Sequence, residues 1–392
     1  MSHNWRIALF TSVLILFAAP VAARQPKDPT PAKTAVVAPK VELTADEKGL
    51  VADVEDGEFK TISFAEATLI GSGVTDASKR KGYLATIDLL EAQAKRAVAG
   101  SKTDSEKGEK LLAFLHAGPM KKYAKDQTSL SVLLDTGNFN CVSSAVLYNV
   151  LARRLGLEVR AVELPRHSHA FSLLRDGERD VDVETTNAKG FDPKRKKTEA
   201  AAQAKNRREV KTAGLVAIVA ANRCGFLAKE KNYSEAVRAG LCARGLDREL
   251  KGVENNFQVA LGSWCRDLAD DGKIEEALAV LEKNGEPLNA GAKHDEMKGI
   301  YAVRLKVFLK QGEYESAARM YMEAARRHKG EKELVKHCRH QAIACFDEWA
   351  RPHVKKGEWA KVVEIYEKAS EILPDDPDIR DRLKVYRKKL DK

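Results

Sequence analysis

Cys141 and His169 are the residues of this chain whose types and settings suit chemistry done together. A cysteine on the first turn of a helix meets unpaired backbone N–H groups and the positive end of the helix dipole. Both favour the thiolate, the nucleophilic form of the side chain. The same N–H groups are candidates to hold an oxyanion. The stretch from Gly137 to Gly156 predicts that setting. Gly137, Asn138 and Asn140 make a turn, with Asn140 as N-cap. Val142, Ala145, Val146, Leu147, Val150 and Leu151 predict a largely buried helix, and Arg153, Arg154 and Gly156 suit its C-terminal end.

A thiol nucleophile needs a base and a group to orient that base. After a strand near Leu157 to Leu164 and a turn at Pro165, His169-Ala-Phe-Ser-Leu-Leu reads as a second strand. Asp176-Gly177 is a strong two-residue hairpin signal. The return strand from Arg179 puts Val181 and Val183 on one face and Asp180, Asp182 and Glu184 on the other. With Asp176-Gly177 as the loop, His169 lies opposite Glu184, and Asp182 lies opposite Phe171, diagonal to His169. Cross-strand neighbours bring their Cβ atoms ~5 Å apart, so a carboxylate there can accept the imidazole N–H and fix its tautomer. This register favours Glu184, a longer loop would shift it, and Asp182 stays the alternative. His167 shares the strand parity of His169 but belongs to the turn after Pro165, and ranks second as base.

The segments Asn140-Cys-Val-Ser-Ser-Ala-Val-Leu-Tyr, His169-Ala-Phe and Val183-Glu-Thr-Thr resemble the transglutaminase-like superfamily over roughly residues 111–192. That superfamily has a cysteine at a helix start, His-Ala-aromatic opening a strand, and an acid before a threonine on the next. The resemblance implies a papain-like α+β core with Cys141 as nucleophile and His169 as base. The acid would be Glu184 if Glu-Thr-Thr fills the place of the family's Asp-Pro-Thr, and Asp182 otherwise. Val142 stands where animal members commonly have Trp.

Other elements must hold these residues in place. The full reading of the 392 residues is a signal peptide (1–23), a flexible Pro-, Ala- and Lys-rich tether (24–42), a helical region plus the core (43–192), a basic linker (193–212) and a helical repeat array (213–392). The signal peptide rests on Arg6, an apolar run of 13 residues from Ile7 to Ala19, and small residues at Val21-Ala22-Ala23. It implies export to a periplasmic or extracellular space. Membrane attachment is expected only if this segment is retained as an anchor. Within 43–134 the pattern is helical. A 3.6-residue stripe at Tyr83, Leu84, Ile87, Leu90 and Ala94 predicts a helix from Asp76 to Val98, and Asp104 is a candidate cap for another.

From about Leu215 turns at Asn232, Gly272, Gly312 and Gly357, spaced 40, 40 and 45 residues apart, each precede an aromatic or apolar residue with a smaller one three places on. The pairs are Tyr233 with Ala236, Ile274 with Ala277, Tyr314 with Ala317 and Trp359 with Val362. These marks resemble degenerate tetratricopeptide repeats, whose usual period is ~34 residues. A helical hairpin cannot bury its apolar face alone, so the copies must stack into an all-α, tetratricopeptide-like solenoid. Trp264, Trp349 and Trp359 are expected to be packing residues.

Hydrophobic residues at 44% and charged residues at 32% describe a soluble globular chain with real cores. The net charge is +10, or +9 once Arg6 is removed with the signal peptide. A nucleic-acid partner is not expected, because the basic stretch of 193–211 lacks interleaved aromatics and export argues against one. Six cysteines appear without a CxxC or Cys/His metal spacing, so neither metal nor cofactor is expected. The expected function is an exported thiol-dependent acyl-transfer enzyme whose repeats bind a protein or peptide. The alternative is a helical-repeat scaffold with an inactive core module.

Overall fold

Caps and apolar spacing set the N-terminal elements of the computed structural model, which describes residues 38–165, 168–194 and 206–391. The expected signal peptide and His167 lie outside these residues. Thr44 and Glu47 form a capping box that starts α1 (Ala45–Ala52). Ser63 caps α2 (Phe64–Gly71), Asp76 caps α3 (Ala77–Ala97), and Thr103 caps α4 (Asp104–Ala117) one residue before the expected Asp104. A short hairpin, β1 (Val54–Glu55) and β2 (Glu58–Phe59), separates α1 from α2. The stripe on α3 behaves as its period predicts, with Ile87 and Ala94 fully buried.

Next come β3 (Lys122–Tyr123), α5 (Leu130–Thr136), β4 (Asn138–Phe139) and α6 (Cys141–Arg154). β3 and β4 pair in parallel, Tyr123 against Phe139. Every residue of α6 from Cys141 to Ala152 is buried. Each of its fully buried Leu and Val side chains contributes about 1.5–3 kcal/mol of transfer free energy, so the helix is anchored by packing more than by propensity. Arg153 and Arg154 emerge at its C-terminus and bridge to Glu58 on β2 and to Asp88 and Glu91 on α3.

Beside α6 lies a four-stranded antiparallel sheet in the order β7 (Arg179–Val183), β6 (His169–Asp176), β5 (Val159–Leu164), β8 (Arg208–Val210). Ala170, Leu174, Val181 and Val183 share one core with α6, while Val162, Leu164, Phe171 and Leu173 form a separate buried cluster. Alternation along the strands sends these two sets to opposite faces. Two expectations are corrected here. The fourth strand, β8, falls inside the stretch read as a solvated linker or helix, because Ala161 and Glu163 offer Val210 and Arg208 a free strand edge. The hairpin loop is Gly177-Glu178 rather than Asp176-Gly177, since Asp176 pairs with Arg179. Gly177 alone takes a positive φ (60°), which suits a turn with glycine in the first loop position.

The C-terminal half is entirely helical: α7 (Thr212–Lys229), α8 (Tyr233–Leu246), α9 (Lys251–Asp270), α10 (Ile274–Asn284), α11 (Ala290–Gln311), α12 (Tyr314–Arg327), α13 (Lys332–Lys356), α14 (Trp359–Ile372) and α15 (Pro377–Leu390). With the six before them, the described residues form fifteen helices and a small sheet region, compatible with a helical solenoid portion. Each sequence mark begins the second helix of a pair, and Ala236, Ala277, Ala317 and Val362 are fully buried. Small residues there let successive helices approach. Aromatic stacking joins consecutive pairs: Tyr233 lies on Trp264, Tyr314 on Trp349, and Trp359 on Tyr386, with ring centres 6.1–6.4 Å apart. The buried carboxylate of Glu47 ties α1 to Arg223 of α7 and Arg238 of α8. No described helix is long and apolar enough to cross a membrane.

Candidate active site

Asn140 places Cys141. Its side-chain oxygen accepts from the N–H groups of Val142 (2.9 Å) and Ser143 (3.0 Å), and Ser143 Oγ accepts from the Asn140 N–H. This closed capping box makes Cys141 the first helical residue, at 8% exposure. It also uses the two N–H groups that were expected to serve as oxyanion donors. Only the Cys141 N–H of that turn is left unused by the cap, because a side-chain cap competes with any ligand for the same donors.

His169 opens β6, opposite Leu164. Its Nε2 donates to Glu184 Oε2 at 2.7 Å, and Cys141 lies near enough to the same imidazole to raise its pKa. With Nε2 taken by the carboxylate, Nδ1 is the imidazole nitrogen left for another partner. The influence of Cys141, followed by that of Glu184, outweighs burial and pushes the imidazole pKa up to about 10. Burial pushes the Glu184 carboxyl up, but its bonds from His169 and Thr186 outweigh this and hold it below the ordinary range. The two shifts agree on a charged His169–Glu184 pair.

Glu184 is therefore the acid beside His169. Asp182 sits opposite Leu173 and accepts from Arg207 Nη2 at 2.8 Å, while the Arg207 guanidinium covers the Phe171 ring at 5.4 Å. The structure thus unites Cys141, His169 and Glu184 and assigns Asp182 to a cationic partner from beyond the hairpin.

Several supporting residues carried no signal strong enough to be found in the sequence. Thr186 Oγ1 donates to Glu184 Oε1 at 2.7 Å, so both carboxylate oxygens are held. Buried Thr185 shares a 2.8 Å bond with Ser144 Oγ, and Ser144 donates to the Cys141 carbonyl at 3.3 Å. His116 Nε2 reaches the Thr185 carbonyl at 3.1 Å, and burial keeps this imidazole below its ordinary pKa. Together these bonds tie the helix tip, α4 and the segment carrying the acid into one frame. The Glu-Thr-Thr string hinted at Thr186; nothing in the spacing marked His116 or Ser144.

Beside this frame lies an open groove of about 600 Å³ lined by His116, Met120, Tyr123, Phe139, Thr186 and Asn187, among others. Tyr123 is half exposed, and burial together with the charges of Cys141 and Glu184 raises its phenol pKa. Groove and triad share the β4–α6 junction and the 184–187 segment.

All six thiols are free. Burial pushes Cys224, Cys242, Cys265 and Cys345 up to about 12 and Cys338 up to about 11, so these five stay protonated and inert. Cys141 differs from them in facing an imidazole.

No family model matches the chain, and neither a curated protein nor a solved structure shows significant similarity to it.

Proposed function

We propose that this protein is an exported thiol-dependent acyl-transfer enzyme with a papain-like, transglutaminase-like core and a helical array that binds its protein or peptide partner. The observation that carries the reading is the His169 imidazole, bonded to Glu184 at 2.7 Å and near enough to Cys141 for that thiol to raise its pKa. A nucleophile, a base and an orienting acid in hydrogen-bond sequence are what activate a thiol for attack on a carbonyl. The groove against Tyr123 and Phe139 offers a seat for an extended acyl substrate.

In this reading Cys141 sulfur, as thiolate, attacks an amide or ester carbonyl, and the carbonyl electron pair moves to oxygen. The Cys141 N–H is the first donor for that oxyanion. His169 passes its proton to the leaving amine or alcohol as the tetrahedral adduct collapses to a thioester. Water or an amine then attacks, giving its proton to His169, and release of acid or new amide restores the thiolate. Glu184 stays ionised throughout and holds the ring orientation.

The test is a thiol-reactive probe applied to the mature protein across pH. Selective labelling of Cys141 at pH 6 that falls in His169→Ala supports the reading. Labelling no faster than an ordinary thiol, indifferent to His169, overturns it. The second reading, a non-catalytic scaffold, draws on the low exposure of Cys141 and the helical bulk of the chain. It predicts that Cys141→Ser leaves the biological role intact.

A further inference from the structure

Residues 38–41 belong to the segment expected to be a free tether, yet they are fastened to the repeat array. Asn284, at the C-terminal end of α10 and only 4% exposed, grips their main chain from both sides. Its Oδ1 accepts from the Val41 N–H at 2.8 Å, and its Nδ2 donates to the Pro39 carbonyl at 3.1 Å. Lys283 Nζ adds a bond to the Ala38 carbonyl at 2.6 Å. Ala38 and Val41 are buried in the core of the array, whereas Pro39 and Lys40 between them are exposed.

Each feature defines a ligand. The polar contacts reach only backbone atoms, so they read an extended chain rather than a side-chain sequence. Burial of every third residue is the spacing of one polyproline II turn, a conformation that Pro39 favours. The two buried positions hold a small residue and a β-branched one.

We propose that this notch on α10 is a recognition site for extended, proline-containing peptides of the form small-Pro-x-Val, and that Ala38–Val41 is its occupant in cis. The occupant is releasable. Two small side chains and a few main-chain bonds yield about as much as it costs to order four residues. The tail also rejoins, at Thr44, a helix that has its own capping box. Tethering supplies an effective concentration in the ~mM range, so a competing partner peptide gains the site when the tail is drawn away.

The test uses the full mature chain and a fluorescein-labelled peptide of residues 36–43 as probe, read by anisotropy. In the wild-type chain the tail fills the notch and the probe binds weakly. Ala38→Asp with Val41→Asp expels the tail without touching the array, and the probe then binds at least tenfold more tightly. Adding Asn284→Ala to that variant reverses the gain, with circular dichroism confirming that the helices persist. The proposal is overturned if the folded double variant binds no better than wild type, or if the triple variant binds as well as the double.

Discussion

Glu184 accepts a 2.7 Å hydrogen bond from His169 Nε2 although the β6–β7 ladder stops at the Ser172–Val183 pair, one residue short of it. The acid is therefore aimed by the turn that follows the strand. In that turn the Glu184 N–H donates to the Gly190 carbonyl (2.8 Å), the Glu184 carbonyl accepts from Asn187 (3.1 Å), and Thr186 holds the second carboxylate oxygen.

This arrangement separates the two candidate acids. Glu184→Gln keeps the shape but removes the charge that stabilises the imidazolium, and the rate of Cys141 labelling at pH 6 is expected to fall at least tenfold. Asp182→Asn perturbs the contact with Arg207 and is expected to leave the rate within about twofold. Equal losses from the two variants would contradict the assignment.

The pH dependence follows from His169, pushed up to about 10 by Cys141 and then Glu184. Its protonated form is favoured in the folded state, so its contribution to stability is complete below the unfolded value of about 6.5. That contribution is lost as pH rises towards 10. Thermal unfolding should show wild type exceeding His169→Ala at pH 6, with the gap closing by pH 10.

Gly190 closes the turn that aims Glu184. A Cβ there would stand 2.0 Å from the Glu184 carbonyl oxygen and 2.8 Å from that of Asn187, both backbone atoms. Gly190→Ala is expected to cost about 1–3 kcal/mol in urea unfolding and to reduce labelling as much as Glu184→Gln. Unchanged stability would show that the turn gives way freely.

Thr185 and Ser144 share one buried bond, so their effects should couple. Thr185→Val removes a hydrogen bond worth about 1 kcal/mol and leaves the Ser144 hydroxyl its bond to the Cys141 carbonyl. The double variant Ser144→Ala, Thr185→Val should be less destabilised than the sum of the singles. Additivity in a double-mutant cycle would argue against the shared bond.

Tyr321 on α12 is 1% exposed, within the core of the array. Tyr321→Ala should cost about 3–5 kcal/mol through lost transfer energy and the cavity left behind, read as an earlier loss of helical circular dichroism.

The sequence by itself determined what short-range physics controls. Asn140 followed by an apolar run announces α6 and its cap, the stripe on α3 announces its buried face, and the four marks of a turn with an aromatic or apolar residue announce where each second helix of the array begins. Tertiary structure alone decided the rest. Whether Glu184 or Asp182 serves His169 depended on the turn after β7, closed by the Glu184 bond to Gly190, and on Arg207, which reaches Asp182 from 25 residues away. The Arg208–Val210 strand depended on an open edge of β5, and the fastening of Ala38–Val41 on Asn284, 243 residues along the chain. Periodicity and capping act over a few residues, whereas register, bridging cations and seats for extended chain are settled by contacts between distant stretches.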